Sequence, residues 1–242
     1  MYLALVSASR DLSITPPLLQ RIAAALEIQI YRDFGPFWQY AGMPVKVFSS
    51  ISAIPKDASP LVIFDAPDQS GALGWHDVDP TGRAYGRAFW KVIQDNGGSL
   101  LSSANSLSVT LSHEALEMVG DPYVDWWARM PDGQLECLEV CDRVQADAYD
   151  IDGVSVSNFV GPRAFRNGTG PYDYMRLLKS PWEIRDGGYA IRMRDGRVTN
   201  VWGQSFPEWQ KELKALPSSR TARRHLDPTE PAPEPAAVDE SG

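Results

Sequence analysis

The chain has 242 residues, 43% of them hydrophobic and 22% charged, which is the composition of an ordinary globular protein of one large or two small domains. Its formal charge of −8 argues against nucleic acid as a partner, because a phosphate-binding groove needs a basic face. No apolar run approaches the roughly 20 residues that span a bilayer, and the apolar stretch Met1 to Val6 is short and lacks a basic flank, so neither a membrane span nor a secretory signal is expected.

In chain order, Leu3 to Ser7 is predicted as a first strand. A helix follows, with Thr15 as N-cap and Pro16 in its first turn, its stripe of Leu19, Ile22, Ala23, Leu26 and Ile30, and an end at Gly35-Pro36. Val45 to Ser49 and Leu61 to Asp65 read as buried strands. Gly71 to Asp79, the turn Asp79-Pro80-Thr81-Gly82 and Arg83 to Val92 read as a hairpin or edge-strand region. Asn105-Ser106 then caps a helix from about Leu107 to Val119, which Gly120 and Asp121-Pro122 terminate.

This order predicts an α+β fold, a mixed sheet with packed helices, over an N-terminal lobe 1–122. Beyond it, aromatic clusters and many Gly and Pro breaks predict a loop-rich second lobe over 123–206, then a short helix over 207–216. The remainder, 217–242, is rich in Pro, Glu, Ala, Ser and Arg without an aromatic residue, and is predicted to be a disordered tail. The basic cluster Arg220, Arg223, Arg224 and His225 falls in that tail and reads as solvated linker. The two cysteines, Cys137 and Cys141, form no disulfide framework; buried thiols are the simple reading and a soft metal pair the alternative.

The chemistry concentrates in Ser112-His113-Glu114-Ala115-Leu116-Glu117. Four residues apart on a helix, His113 and Glu117 project from one face, as the first and fifth positions of a His-Glu-x-x-His helix do when they hold zinc; Glu114 occupies the position of the base. A carboxylate is an accepted zinc ligand, yet each added negative charge acidifies bound water less, and an oxygen-rich set makes Mn²⁺ or Ca²⁺ more competitive with Zn²⁺. An acidic cluster follows at Glu136, Glu139 and Asp142, and Asp121 lies one helical turn past Glu117. All four are candidate ligands, or carboxylates that orient one. Donors for a developing oxyanion are sought in the second lobe among Tyr149, Arg163, Tyr172 and Tyr174, without a ranking. His76, in Gly74-Trp75-His76-Asp77, lies on the proposed edge strand, where an extended peptide could align by strand addition; its side chain reads as bonded to Asp77 or Asp79, with metal ligation the alternative.

The run from Ser112 to Pro122, with Glu139-Val140-Cys141-Asp142, Val156-Ser157-Asn158-Phe159, Gly74-Trp75-His76-Asp77 and Gly187-Gly188-Tyr189, resembles a group of bacterial and phage zincin-like proteins. The likeness covers roughly Met1 to Gly203; through His-Glu-x-x-Glu and Asp-Pro alone, a more distant one extends to exordium-like plant proteins. The resemblance implies a metallopeptidase-type fold, with His113, Glu117 and an acidic residue around Glu139 as ligands and Glu114 as base. On this basis the expected ligand set is His113, Glu117 and Glu139, with Asp142, Glu136 and Asp121 as alternatives or supporting carboxylates. The expected activity is zinc-dependent hydrolysis of a peptide or protein substrate through a metal-bound water. The alternative is a non-catalytic, metal-stabilised structural or binding module, such as a phage virion-associated protein; a cytoplasmic or virion location suits either. Oligomeric state is not legible.

Overall fold

A computed structural model describes residues 2–67, 72–208 and 211. The helix expected over 207–216 falls almost entirely, and the tail 217–242 wholly, outside these residues. The fold is α+β. Strands β1 (Leu3–Ser7), β2 (Val45–Val47), β3 (Ser59–Phe64), β4 (Gly74–Val78) and β5 (Ala84–Phe89) form a five-stranded mixed sheet in the order β2-β1-β3-β5-β4. The pairs β1 with β2, β1 with β3 and β3 with β5 are parallel, and β4 runs antiparallel to β5 at the edge.

Helices α1 (Pro16–Ile28) and α4 (Leu107–Gly120) pack with Leu3, Leu5, Leu61, Ile63 and Ala88 into one core on one face of this sheet. The alternate residues Val6, Val62, Phe64, Trp75, Tyr85 and Phe89 form a second core on the other face, as the two-residue strand period requires. Buried Arg87 lies in that second core, its guanidinium carbon 5.0–5.8 Å from the ring centroids of Phe64, Trp75 and Tyr85.

The predicted turn Asp79-Pro80-Thr81-Gly82 closes the β4–β5 hairpin. The Asp79 carboxylate accepts from the Thr81 and Arg83 amides and pairs with the Arg83 guanidinium at 3.0 Å. The second strand is shorter than the expected Arg83 to Val92. It stops at Phe89, and α3 (Trp90–Asp95) begins, where burial changes from every residue of the strand to Trp90 and Ile93, three apart. The first helix also departs from expectation. It does not stop at Gly35-Pro36 but widens into a π-helical turn over Gln29–Phe34 and continues as α2 (Gly35–Trp38). Pro36 falls in the first turn of α2, where the helix changes from the π to the α register.

The second lobe is more regular than expected. Strands β6 (Trp127–Arg129), β7 (Leu135–Cys137), β10 (Tyr189–Arg194) and β11 (Arg197–Trp202) make a four-stranded antiparallel sheet, and β8 (Ala148–Ile151) with β9 (Val154–Ser157) a separate hairpin. Cys137 and Cys141 are buried and unbridged, the first in β7 and the second beyond it, so they share no helix face. The β8–β9 hairpin docks on α4, where the Ser108 hydroxyl donates to the Ser155 carbonyl at 2.7 Å and the Ser157 amide donates to the Ser112 hydroxyl at 2.9 Å. Thus α4 lies between the sheet and the second lobe, and every one of its residues except His113 is buried. Among the described residues no helix is long and apolar enough to cross a membrane.

Candidate metal centre

Helix α4 supplies the centre. Ser106 caps it, its hydroxyl accepting from the Val109 amide at 3.2 Å. The helix lies unusually close to the sheet because two facing residues have no side chain. A Cβ on Gly86 would come within 2.8 Å of the Met118 sulfur and of Leu61 Cδ1; one on Gly74 would come within 2.8 Å of Glu114 Oε1 and 2.7 Å of Thr110 Cγ2. Gly74 therefore makes the space in which the Glu114 carboxylate sits.

Around this helix six ionisable side chains converge. His113 Nε2 lies 3.3 Å from Glu117 Oε2, one turn along the helix, and 3.3 Å from Asp142 Oδ1, which arrives from a short 3₁₀ turn in the second lobe. His76 reaches the same carboxylate from the edge strand: its Nδ1 lies 3.2 Å from Glu117 Oε2 and 3.3 Å from Glu114 Oε2, and its Nε2 lies 3.7 Å from Glu139 Oε2. The parity of β4 accounts for this. His76 is opposite Gly86 in the register, and the even-numbered positions of both strands face α4. The Cys141 amide donates to Glu117 Oε1 at 3.1 Å and ties the helix carboxylate to the second lobe.

The electrostatics follow from burial among carboxylates. Desolvation alone pushes the His76 imidazole down, but hydrogen bonds to Glu114 and Glu117 outweigh it and raise its pKa to about 9. His113 likewise moves well above the ordinary range: burial opposes the charge, and Glu117 and Asp142 overcome it. Glu117 moves well below the carboxylate range in spite of burial, held there by His113 and His76. Burial first, and then Glu117, push the Cys141 thiol well up, so it remains protonated.

Among the described residues, two groups have ligand atoms within 4.8 Å of one another: His113, Glu117 and Asp142, and His76, Glu117 and Glu139. One imidazole nitrogen and two carboxylate oxygens form a donor set that fits Zn²⁺ or Mn²⁺. The expected grouping of His113, Glu117 and Glu139 is thus divided: Asp142 is the acidic residue beside His113, and Glu139 the one beside His76. Glu114 is at the centre, bonded to His76.

Two other acidic candidates are engaged elsewhere. Glu136 is buried between Arg143 and Arg192, at 2.9 and 2.8 Å from their Nε atoms, and Asp121 accepts from the Trp126 amide at 3.0 Å in the turn after α4. The four candidate oxyanion donors also have other partners. The Tyr149 hydroxyl donates to Asp33, Tyr174 bonds to Asp33, Tyr172 donates to the Gly168 carbonyl and Arg163 to the Gly170 carbonyl.

The tyrosine beside the centre is Tyr189, buried, hydrogen-bonded to Asp142 and raised well above its usual pKa by burial and by Asp142 and Glu117. Its sequence signal was the pair Gly187-Gly188 before it: a Cβ on Gly188 would lie 2.3 Å from the Arg143 carbonyl, so this strand end packs directly on the turn that carries Asp142. Two surface concavities lie elsewhere, one lined by Arg129, Asp132 and Arg194 and the other by Trp38, Trp127 and Phe165. Comparison with protein-family models, with curated proteins and with solved structures finds no match to this chain.

Proposed function

We propose that this protein is a zincin-like, metal-dependent peptidase whose centre is held by His113, Glu117 and Asp142, with Glu114 as general base. The observation that carries the reading is the convergence of His113 and Glu117, from one helix, with Asp142 from the second lobe, at 3.3 Å separations and beside the Glu114 carboxylate. The mixed sheet with an antiparallel edge strand against the motif helix is consistent with the zincin-like architecture that the motif resemblance implies. His113, Glu117 and Asp142 would hold a Zn²⁺ or Mn²⁺, which would supply a Lewis acid for the scissile carbonyl. Glu114 takes the proton of the attacking water and returns it to the leaving amine. His76, bonded to Glu114 through Nδ1, fixes the orientation of the base. Tyr189, hydrogen-bonded to Asp142, orients that ligand carboxylate. β4, as the sheet edge, offers the direction along which an extended peptide substrate aligns.

The test is Glu114→Gln. It keeps shape and metal content, so cleavage of a peptide library falls by roughly 10²–10⁴-fold while bound metal and melting temperature stay at wild-type values. One observation favours a second reading, a metal-stabilised structural or binding module: the cluster is nearly closed, His113 being its most exposed member at 15% of its side chain. If the wild-type protein cleaves nothing and chelation still lowers its melting temperature, that module is the correct description and the peptidase reading fails.

A further inference from the structure

The centre contains more ligand atoms than one cation uses. We propose that it holds two cations bridged by the Glu117 carboxylate, the second seated on His76 and Glu139. This rests on reading the His113 group as a metal centre and extends it.

Three observations support the second position. First, His76, Glu117 and Glu139 are each more than nine-tenths buried, with exposures of 5%, 3% and 7%. They come from three separate parts of the fold (an edge strand, the motif helix and the loop after β7) and present one ligand atom each within 4.8 Å of the others.

Second, the two nitrogens of His76 are differently used. Nδ1 is hydrogen-bonded to Glu114 Oε2 at 3.3 Å, the arrangement in which a metal-binding histidine engages its other ring nitrogen with an acid and so fixes its tautomer. Nε2 is fully buried without a hydrogen-bond partner and points toward Glu139 Oε2 at 3.7 Å. That separation is too long for a hydrogen bond. Two ligands at about 2.0–2.2 Å from one ion, by contrast, stand up to roughly 4 Å apart.

Third, the cluster is rich in ligand oxygens: the Glu114, Glu117, Glu139 and Asp142 carboxylates converge with two imidazoles in a nearly closed site. Both donor sets are one nitrogen and two oxygens, so both positions favour the same kind of ion, and the oxygen majority suits Mn²⁺ as well as Zn²⁺.

The probe is Mn²⁺ alone, added to the chelator-treated full chain and followed by elemental analysis after desalting and by electron paramagnetic resonance. The wild type is expected to retain two equivalents and to show the exchange-coupled spectrum of a bridged pair. His76→Ala and, separately, the nearly isosteric Glu139→Gln are each expected to retain one equivalent with an uncoupled signal. Circular dichroism reports whether each variant is folded, and Glu139→Gln alone decides the matter if His76→Ala does not fold. One equivalent in the wild type overturns the second cation and leaves a single-metal centre standing. Two equivalents that persist in folded Glu139→Gln also overturn it. No retained metal in the wild type overturns both the pair and the centre itself.

Discussion

At the scale of single residues, the centre depends on groups whose roles are separable by substitution. Glu136 and Glu139 lie three apart in an acidic run, yet one neutralises two arginines and the other faces His76. Burial lowers the Arg143 pKa to about 10, and Glu136 offsets part of that effect. Removing the carboxylate by Glu136→Ala leaves a buried guanidinium uncompensated and costs roughly 3–5 kcal/mol of stability. Metal content is expected to stay at the wild-type value in that variant, and a loss of metal in a folded Glu136→Ala would return Glu136 to the ligand set. Gly74 makes the opposite prediction. In Gly74→Ala the added methyl meets Glu114 Oε1 and Thr110 Cγ2, so overpacking of about 1–3 kcal/mol is expected together with a displaced base. Turnover should then fall by far more than the melting temperature alone explains. Activity that remains at the wild-type level would show that the Glu114 position does not depend on this contact.

At the scale of elements, α4 was the most legible part of the chain, since its cap, its stop and its His-Glu-x-x-Glu spacing are all local. Ser106→Ala removes the N-cap and should cost about 1 kcal/mol, read as a lower denaturation midpoint with the slope unchanged. What local reasoning did not reach was that this helix is covered on all sides. Its serines and carboxylates satisfy one another across elements, as when the Ser112 hydroxyl donates to Gln29 Oε1 at 2.7 Å. Gln29 opens the π-helical turn that carries the first helix past Gly35-Pro36. A punctuation rule written for the α-helical register stops the helix there, and a wider turn shifts which residue loses a bond. The six strands of the second lobe are largely half-buried or exposed and show no clean alternation to declare them. A signal was nonetheless present. Asp132-Gly133, Asp152-Gly153 and Asp195-Gly196 each close one of its hairpins, and Asp-Gly is the strongest short-range hairpin dipeptide.

At the scale of the whole molecule, the cluster joins the sheet edge, α4 and the segment after β7, so metal and pH should act on global stability. In the metal-free protein, His76 is raised from 6.5 to about 9, and its contribution is complete below 6.5 and lost as pH rises toward 9. Glu117, held well below 4.5, contributes above that value and loses the contribution as pH falls through its lowered range. The chelated protein should therefore be most stable between about 4.5 and 6.5 and should weaken as pH rises through the histidine window. Metal binding requires neutral imidazoles, so added Zn²⁺ or Mn²⁺ should raise the melting temperature increasingly across that same window. Thermal denaturation with and without chelator measures both curves. If the two run parallel from 6.5 to about 9, the ligand histidines are misassigned.

The amino-acid sequence alone determined the α+β class, the first strand, the hairpin turn and the capped helix with His113, Glu114 and Glu117 on it. All of these rest on interactions within a few residues along the chain. The partners of that helix were decided only by tertiary structure. Asp142 rather than Glu139 faces His113 because a 3₁₀ turn, not a helix, follows β7 and rotates the acidic run. His76 joins the centre because strand parity and the absence of a side chain at Gly86 bring β4 and β5 under α4. Tyr189 arrives from a strand 47 positions beyond Asp142 in the chain, the difference of their residue numbers. Such meetings depend on sheet order and on close packing between distant segments, and no local periodicity encodes which carboxylate will stand opposite which imidazole.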